Sequence, residues 1–492
     1  MNLYYSFFIG SFIVFSCIFS FNNTKAKYQQ CHFDFAVCDT VRPDTNAKAK
    51  DSFSWTDTIS ESPLRKYVIK YTKQIDMPIV RDTLQIIEMT EIQNDTQKKE
   101  QTRNIRKKSI YNVAVVLPFM TNTYGGKEIP AQSVRAVEFY EGVEIAFDSL
   151  RNEGVNLKVS VYDSKKDSAG IAEVIENMNG TEWDFIIGPA HTEVLAQLAV
   201  FAKDKEVPLV SPFNTNPEIC EDNHYFIQVN PSYEIVANYI VAIMTKVKPS
   251  NPGFRRYKYL IMGTSEDSLK MEEIQKAYSL NKNTDTEVLP KLVTNEGIQA
   301  GTIMKYMDRG ALNVIVIAND KNEQFIYSCL REISTMYNKI EKSSSYQILV
   351  VGEPSWKYLE RMNFEYYDNL RLHIPDYFFV DKEADKNKIF EAEFRKRYGI
   401  APREFAYTGF DIMLYFGRLL KKYGTAFPDY FENENRAGRH TSFNFMPVIK
   451  DKKMIDGEKD AEPKRIERFE NNYLHIIKFE EFEFKDSGIK FD

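Results

Sequence analysis

What this chain has little of narrows its chemistry first. Its 492 residues hold six histidines and five cysteines, scattered so that none falls at metal-ligand spacing. There is no GxxxxGK[ST] run to cradle a nucleotide phosphate, no glycine fingerprint for a dinucleotide, no GxSxG elbow and no HExxH pair. Acidic doublets such as Glu272-Glu273 and Glu480-Glu481 are adjacent in sequence, so they do not share a face and read as solvated charge. No cofactor, metal or catalytic step is expected. A large excess of positive charge is also absent. The net charge is −6, and the one strongly basic run, Lys98 to Lys108, lies in a polar segment and reads as linker, so no nucleic-acid partner is expected.

Long apolar runs are rare too. Phe7 to Phe21 is short for a membrane span and suits the apolar region of a secretory signal, although no Lys or Arg precedes it. Three outcomes stay open for residues 1–26: cleavage near Ala26, lipidation at Cys17, or an uncleaved anchor. All three place the body in the periplasm or cell envelope, with membrane contact only through this end. Export would permit a disulfide between Cys31 and Cys38, whereas Cys220 and Cys329 are far apart. Residues 27–109 read as a polar spacer, with a strand around Tyr67–Tyr71 and a short element near Leu84–Met89.

What is there is a repeated alternation. At 43% hydrophobic residues the chain can bury sizeable cores. Asn112 to Phe119 is an apolar run stopped at Pro118, and Ala136 to Leu150 has helical periodicity. Strands at 157–162, 185–187, 209–210 and 225–229 alternate with helices at 168–178 and 192–203. Their continuous apolar runs point to parallel strands buried on both faces. The alternation restarts with helices at 233–247, 267–280, 301–308 and 323–337, and strands at 257–262, 289–292, 313–318 and 348–351. Two further helices, 385–398 and 405–423, precede a strand-like end interrupted by a charged loop, Asp451 to Arg468. The expected architecture is α/β: two Rossmann-like lobes with parallel sheets, helices on both faces, and several crossings between lobes. The boundaries read 110–230 for the first part of lobe 1, 231–374 for lobe 2, 375–440 for a return to lobe 1, and 441–492 for crossing strands and a tail.

The most informative stretch is Asp184 to Pro217. Ile187-Gly188-Pro189 ends one apolar run, and Val207-Pro208-Leu209-Val210-Ser211-Pro212 with Asn216-Pro217 ends the next. Such strand ends form the carboxyl edge where open α/β sheets bind ligands. Together with Phe139-Tyr140-Glu141-Gly142, Val161-Tyr162-Asp163-Ser164, Val351-Gly352-Glu353-Pro354-Ser355-Trp356 and Ala406-Tyr407-Thr408-Gly409-Phe410-Asp411, these motifs resemble type I periplasmic binding proteins, in the branch of the leucine/isoleucine/valine-binding proteins. The resemblance spans roughly residues 110–484. It implies a receptor that closes two lobes on a small polar, amino-acid-like solute and delivers it to an ABC-type permease.

By position, the resemblance makes Thr192 and Thr215 hydroxyl ligands, Phe213 a backbone contact and Glu353 the acid that meets an ammonium. His191, Asn214 and Trp356 adjoin these positions, and Tyr233 and Asn295 are candidates for an aromatic or polar closure from lobe 2. Plainer readings stand beside these: a helix cap for Thr192, a turn cap for Thr215, a surface carboxylate for Glu353 and packing for Trp356. Bulky Phe213, the long spacer and the charged 451–468 insert favour an alternative, a non-enzymatic envelope interaction or regulatory protein, with a cell-wall role as one option, that keeps the fold without a small ligand.

Overall fold

The computed structural model describes residues 107–491 apart from 124–128, 166, 190, 220–221, 282–290, 294–297, 299–300, 341–345 and 451–464, plus three two-residue strands upstream. Expectations for the signal region, Cys31, Cys38, Leu84–Met89, Cys220 and Asn295 lie outside the described residues. Upstream, β1 (Lys27–Tyr28) pairs antiparallel with β2 (Val41–Arg42), and β3 (Tyr67–Val68) is the expected strand near Tyr67.

The first lobe is built on β4 (Tyr111–Leu117), β5 (Leu157–Asp163), β6 (Phe185–Ile187), β7 (Leu209–Ser211) and β8 (Phe226–Gln228), all parallel. Helices α1 (Ala131–Asn152), α2 (Ser168–Met178) and α3 (Thr192–Asp204) connect them. In β4 only Asn112 escapes full burial, as a parallel strand covered on both faces requires.

The second lobe has α4 (Tyr233–Lys246), β9 (Arg256–Gly263), α5 (Ser268–Leu280), β10 (Lys291–Val293), β11 (Ala311–Ile317), α6 (Glu323–Ile340), β12 (Gln347–Val351), α7 (Phe364–Asn369) and β13 (His373–Asp376). Its sheet runs β10-β9-β11-β12-β13 in parallel. The chain returns to the first lobe through α8 (Asp385–Tyr398) and α9 (Glu404–Tyr423). Two short strands, β14 (Arg436–Ala437) and β15 (Ser442–Phe443), follow. Then β16 (Phe445–Lys450) and β17 (Arg465–Asn471) extend the first sheet, and β18 (His475–Glu480) and β19 (Glu483–Asp486) extend the second. The chain therefore passes between sheets three times: after β8, after β13 and after β17.

Both sheets are mixed at their edges, because β3, β16, β18 and β19 pair antiparallel. Two expectations are corrected. Residues 301–308 form only a short 3-10 turn at Ile303–Tyr306: Gly301 sits at φ +79 and Ile303 alone in the turn is buried, too little apolar surface to hold an α-helix. The end of the charged insert is strand, not loop, because Arg468 and Glu470 of β17 are buried as a pair 2.7 Å apart.

The first lobe's core depends on one close helix contact. At Gly142 of α1 and Gly409 of α9 the backbones touch: a Cβ would lie 1.9 Å from the Ala406 carbonyl oxygen in the first case and 2.0 Å from that of Phe139 in the second. This holds α9 across α1 and brings its start, Glu404-Phe405, to the carboxyl edge of the first sheet.

Candidate functional site

On the first lobe, β6 and β7 end side by side, and Gly188 donates its N–H to the Val210 carbonyl at 2.8 Å. His191, not Thr192, is the N-cap of α3, with an extended backbone. Thr192 is the first helical residue and is exposed. After β7, Asn214 closes its own turn: its Oδ1 accepts the Asn216 N–H at 3.2 Å and its Nδ2 donates to the Asn216 carbonyl at 2.9 Å. Thr215 is exposed beside it. Phe213 turns inward and meets Phe139 edge-on at 5.6 Å and Phe405 at 5.4 Å. Its ring thus joins the first lobe's apolar cluster.

On the second lobe the ends of β9, β11, β12 and β13 carry a polar network. Asp267 Oδ2 accepts the Thr264 N–H, the Thr264 hydroxyl and Asn319 Nδ2, each at 2.7 Å. Trp356 is 1% exposed, donates Nε1–H to the Asn319 carbonyl at 2.8 Å and stacks on Tyr367. It clamps the turn that follows β12, so packing is the reading its geometry supports. Glu353 caps that turn and is not a surface carboxylate, being only 1% exposed. Its Oε1 accepts the Tyr233 hydroxyl at 2.6 Å. Lys270, in the first turn of α5, pairs with Asp320 at 2.8 Å and holds its Nζ 5.0 Å over the Tyr233 ring. Burial pushes the Glu353 carboxyl up to about 7. The Lys270 ammonium and the Tyr233 hydroxyl pull it back, while Asp320 and Asp267 add to the rise. The Tyr233 hydroxyl is raised as well, by burial and then by the neighbouring Glu353 charge.

The two edges face each other. Phe405, which touches Phe213 after β7, is next to Glu404, and Glu404 accepts the Tyr358 hydroxyl at 2.8 Å and pairs with Lys357 at 3.3 Å. Lys357 and Tyr358 belong to the turn after β12. The contact therefore links the carboxyl edge of one sheet to that of the other, the edges at which open α/β sheets bind ligands. Lys357 also binds Asp376 at 2.9 Å and the Phe378 carbonyl at 2.7 Å, at the second crossing.

The sequence reading reached Glu353 and Tyr233 and missed Lys270, Asp320, Asp267 and Asn319. The available signal was Asp267 and Lys270 three residues apart, at a helix start that follows a strand. Among the described residues, no group of three or more His, Cys, Asp and Glu is placed to hold a metal, and no helix is long and apolar enough to cross a membrane.

Comparison with known proteins agrees with this geometry. Residues 140–248 match a family described as the receptor family ligand binding region. No curated protein matches in sequence. Among solved structures, a Rhodospirillum rubrum protein described as a branched-chain amino acid ABC transporter superposes with a TM-score of 0.52 at 12% identity, covering 77% of this chain and 99% of that one. An ABC transporter substrate-binding protein from Desulfitobacterium hafniense gives 0.47 at 12% identity, over 77% and 99%. The branched-chain amino acid transporter substrate binding protein of Streptococcus pneumoniae, in complex with isoleucine, gives 0.43 at 15% identity, over 76% and 98%. The first of these superpositions shows the fold: two α/β lobes arranged as in that ABC transporter protein, as the motifs after β6, β7 and β12 imply.

Proposed function

We propose that the protein is an extracytoplasmic solute-binding receptor that takes a small polar solute between its two carboxyl edges and closes on it by bending at the three crossings. The observation that carries this reading is Glu353: an acid 1% exposed, at the end of a parallel strand, with its carboxyl raised to about 7, on the edge that faces the other lobe. Buried, perturbed acids in such places mark functional sites more often than ordinary surface charge does. On the opposite edge, the N–H groups at the start of α3 and the turn Phe213–Thr215 present donors suited to a solute's acceptor end. The amino-acid-like frame implied by the resemblance places a carboxylate there, near Thr192 and Thr215, and a second polar group near Glu353. The partner would be an ABC-type permease and the location the periplasm or cell envelope. No enzymatic step is assigned.

Native mass spectrometry of the full chain, purified without added ligand and then gently denatured, tests this. A small co-purifying mass is expected. A clean apo mass, together with no thermal shift across amino acids, peptides, sugars and amides, would sink the reading. A second reading, an envelope interaction protein, is favoured by the packing of Phe213 against Phe139 and Phe405 and by the Tyr358–Glu404 contact, which give the two edges contacts of their own. Pull-down from solubilised envelope addresses it; no partner above background counts against it.

A further inference from the structure

The second lobe's edge contains a cation box that is already filled. Lysine in the first turn of a helix opposes the helix dipole, so Lys270 at the start of α5 needs a local reason to fold inward. The groups around its ammonium supply one. Its Nζ lies 5.0 Å over the Tyr233 ring and 2.8 Å from Asp320 Oδ1, and its side chain is only 25% exposed. An aromatic face with a carboxylate alongside is the usual receptor for an ammonium. Tyr233 is fixed there from the other end, because its hydroxyl donates to Glu353. Asp267, the third acid, has its Oδ2 engaged by Thr264 and Asn319. The ring and the free acid that would draw a cation into this edge therefore already hold one. A second ammonium would sit beside Lys270 Nζ and meet like-charge repulsion in a poorly solvated place.

We propose that Lys270 is a built-in cation of the solute site: its ammonium fills the box formed by Tyr233 and Asp320 beside Glu353, and the solute taken there carries no ammonium of its own. This rests on the receptor reading above and narrows it, from an amino-acid-like solute to an amine-free one such as a small carboxylate or amide. In the wild-type protein the second polar group of the solute meets the Lys270 ammonium or the Glu353 carboxyl directly.

The test uses the full chain as wild type, Lys270→Ala and Lys270→Ala/Asp320→Asn. Each is melted in propylammonium chloride and in sodium chloride of equal ionic strength; propylammonium replaces the atoms that alanine lacks. Propylammonium is expected to raise the melting temperature of Lys270→Ala by about 2–4 °C over sodium chloride, to leave wild type unmoved, and to lose most of its effect in the double variant. An equal response of wild type and Lys270→Ala would overturn the proposal, since the box would not be what Lys270 fills. If Lys270→Ala does not fold, wild type is titrated with leucine and with 4-methylpentanoate, its deaminated counterpart. Preference for the amine-free acid by about tenfold, the scale of one hydrogen bond to a charged group, supports the proposal. Preference for leucine that disappears in Glu353→Gln overturns it and leaves the receptor reading standing. Propylammonium rescue in a protein that binds no solute at all has the opposite meaning: the box is confirmed and the receptor reading falls.

Discussion

The two carboxyl edges that face each other are built on different physics. The first lobe's edge satisfies itself with short local hydrogen bonds, as at Asn214, and with an aromatic plug, Phe213 against Phe139 and Phe405. Behind it, helices meet backbone to backbone at Gly142 and Gly409. The second lobe's edge gathers ionisable groups: Glu353, Tyr233, Lys270 and Asp320 are linked by a hydrogen bond, a cation–ring contact and an ion pair, and Asp267 beside them is bonded to Thr264 and Asn319. An apolar edge selects by shape and tolerates small changes of charge; a buried charged edge selects by charge and answers to pH. On the proposed receptor reading, a solute between them would be positioned by the first and discriminated by the second.

The largest test of this contrast is Gly409→Ala. Its methyl would lie 2.0 Å from the Phe139 carbonyl oxygen, a backbone atom that cannot swing aside. A loss of at least about 3 kcal/mol is expected from the urea midpoint, equal at pH 5 and pH 8, because packing alone is disturbed. A loss that varies strongly with pH would mean that the first lobe, too, rests on titrating groups.

Next comes the pH dependence of Glu353. Its folded carboxyl is raised from 4.5 to about 7, so the folded state holds the proton more tightly than the unfolded chain. The associated stability is complete below about pH 4.5 and is lost as pH rises through about 7. Glutamine imitates the protonated acid. Wild-type stability minus that of Glu353→Gln should be flat in acid and fall by about 2–3 kcal/mol by pH 8. The difference is the quantity to measure, because His373 and His475, depressed to about 4 by burial, act in the opposite sense and weaken the fold as pH drops below about 6.5. A difference that grows with pH would contradict the burial of an uncompensated acid at this edge.

Phe213→Ala should cost about 1–2 kcal/mol, below the cost of a fully buried ring because Phe213 is only half-buried. If it is a plug, the variant gains room, and its affinity for bulkier solutes rises while its pH profile stays that of wild type. The smallest effect belongs to Tyr358→Phe. Tyr358 is half-exposed and loses one hydrogen bond to Glu404, so stability should change by only about 0.5–1 kcal/mol. Small-angle scattering should nevertheless show a wider average lobe separation, and an unchanged profile would remove this contact as a brake on opening.

Much of the scaffold was legible from pattern. Continuous apolar runs such as Val113 to Leu117 and Asn313 to Ile317 could only be parallel strands covered on both faces, and their spacing with amphipathic helices implied two lobes. Two elements misled for physical reasons. The stretch 301–308 has helical spacing but too little apolar surface. The first part of the strand Arg465–Asn471, as far as Arg468, reads as the end of a charged loop until Arg468 and Glu470 are seen to neutralise each other in the interior. At the site, Glu353 could be placed because it follows a strand, whereas Lys270 reads as one more solvated charge on a polar helix.

The sequence by itself determined the order of elements, the parallel sheets and which strand ends form an edge, because these depend on short-range periodicity and on which segments must be buried. Only the tertiary structure decided that Glu353 is buried, that Tyr233 donates to it, that Lys270 turns inward over Tyr233, and that Phe213 packs its ring against Phe139 and Phe405. Those outcomes join residues as far apart in the chain as Tyr233 and Glu353, and what decides them is desolvation and charge pairing across elements, which no local pattern encodes.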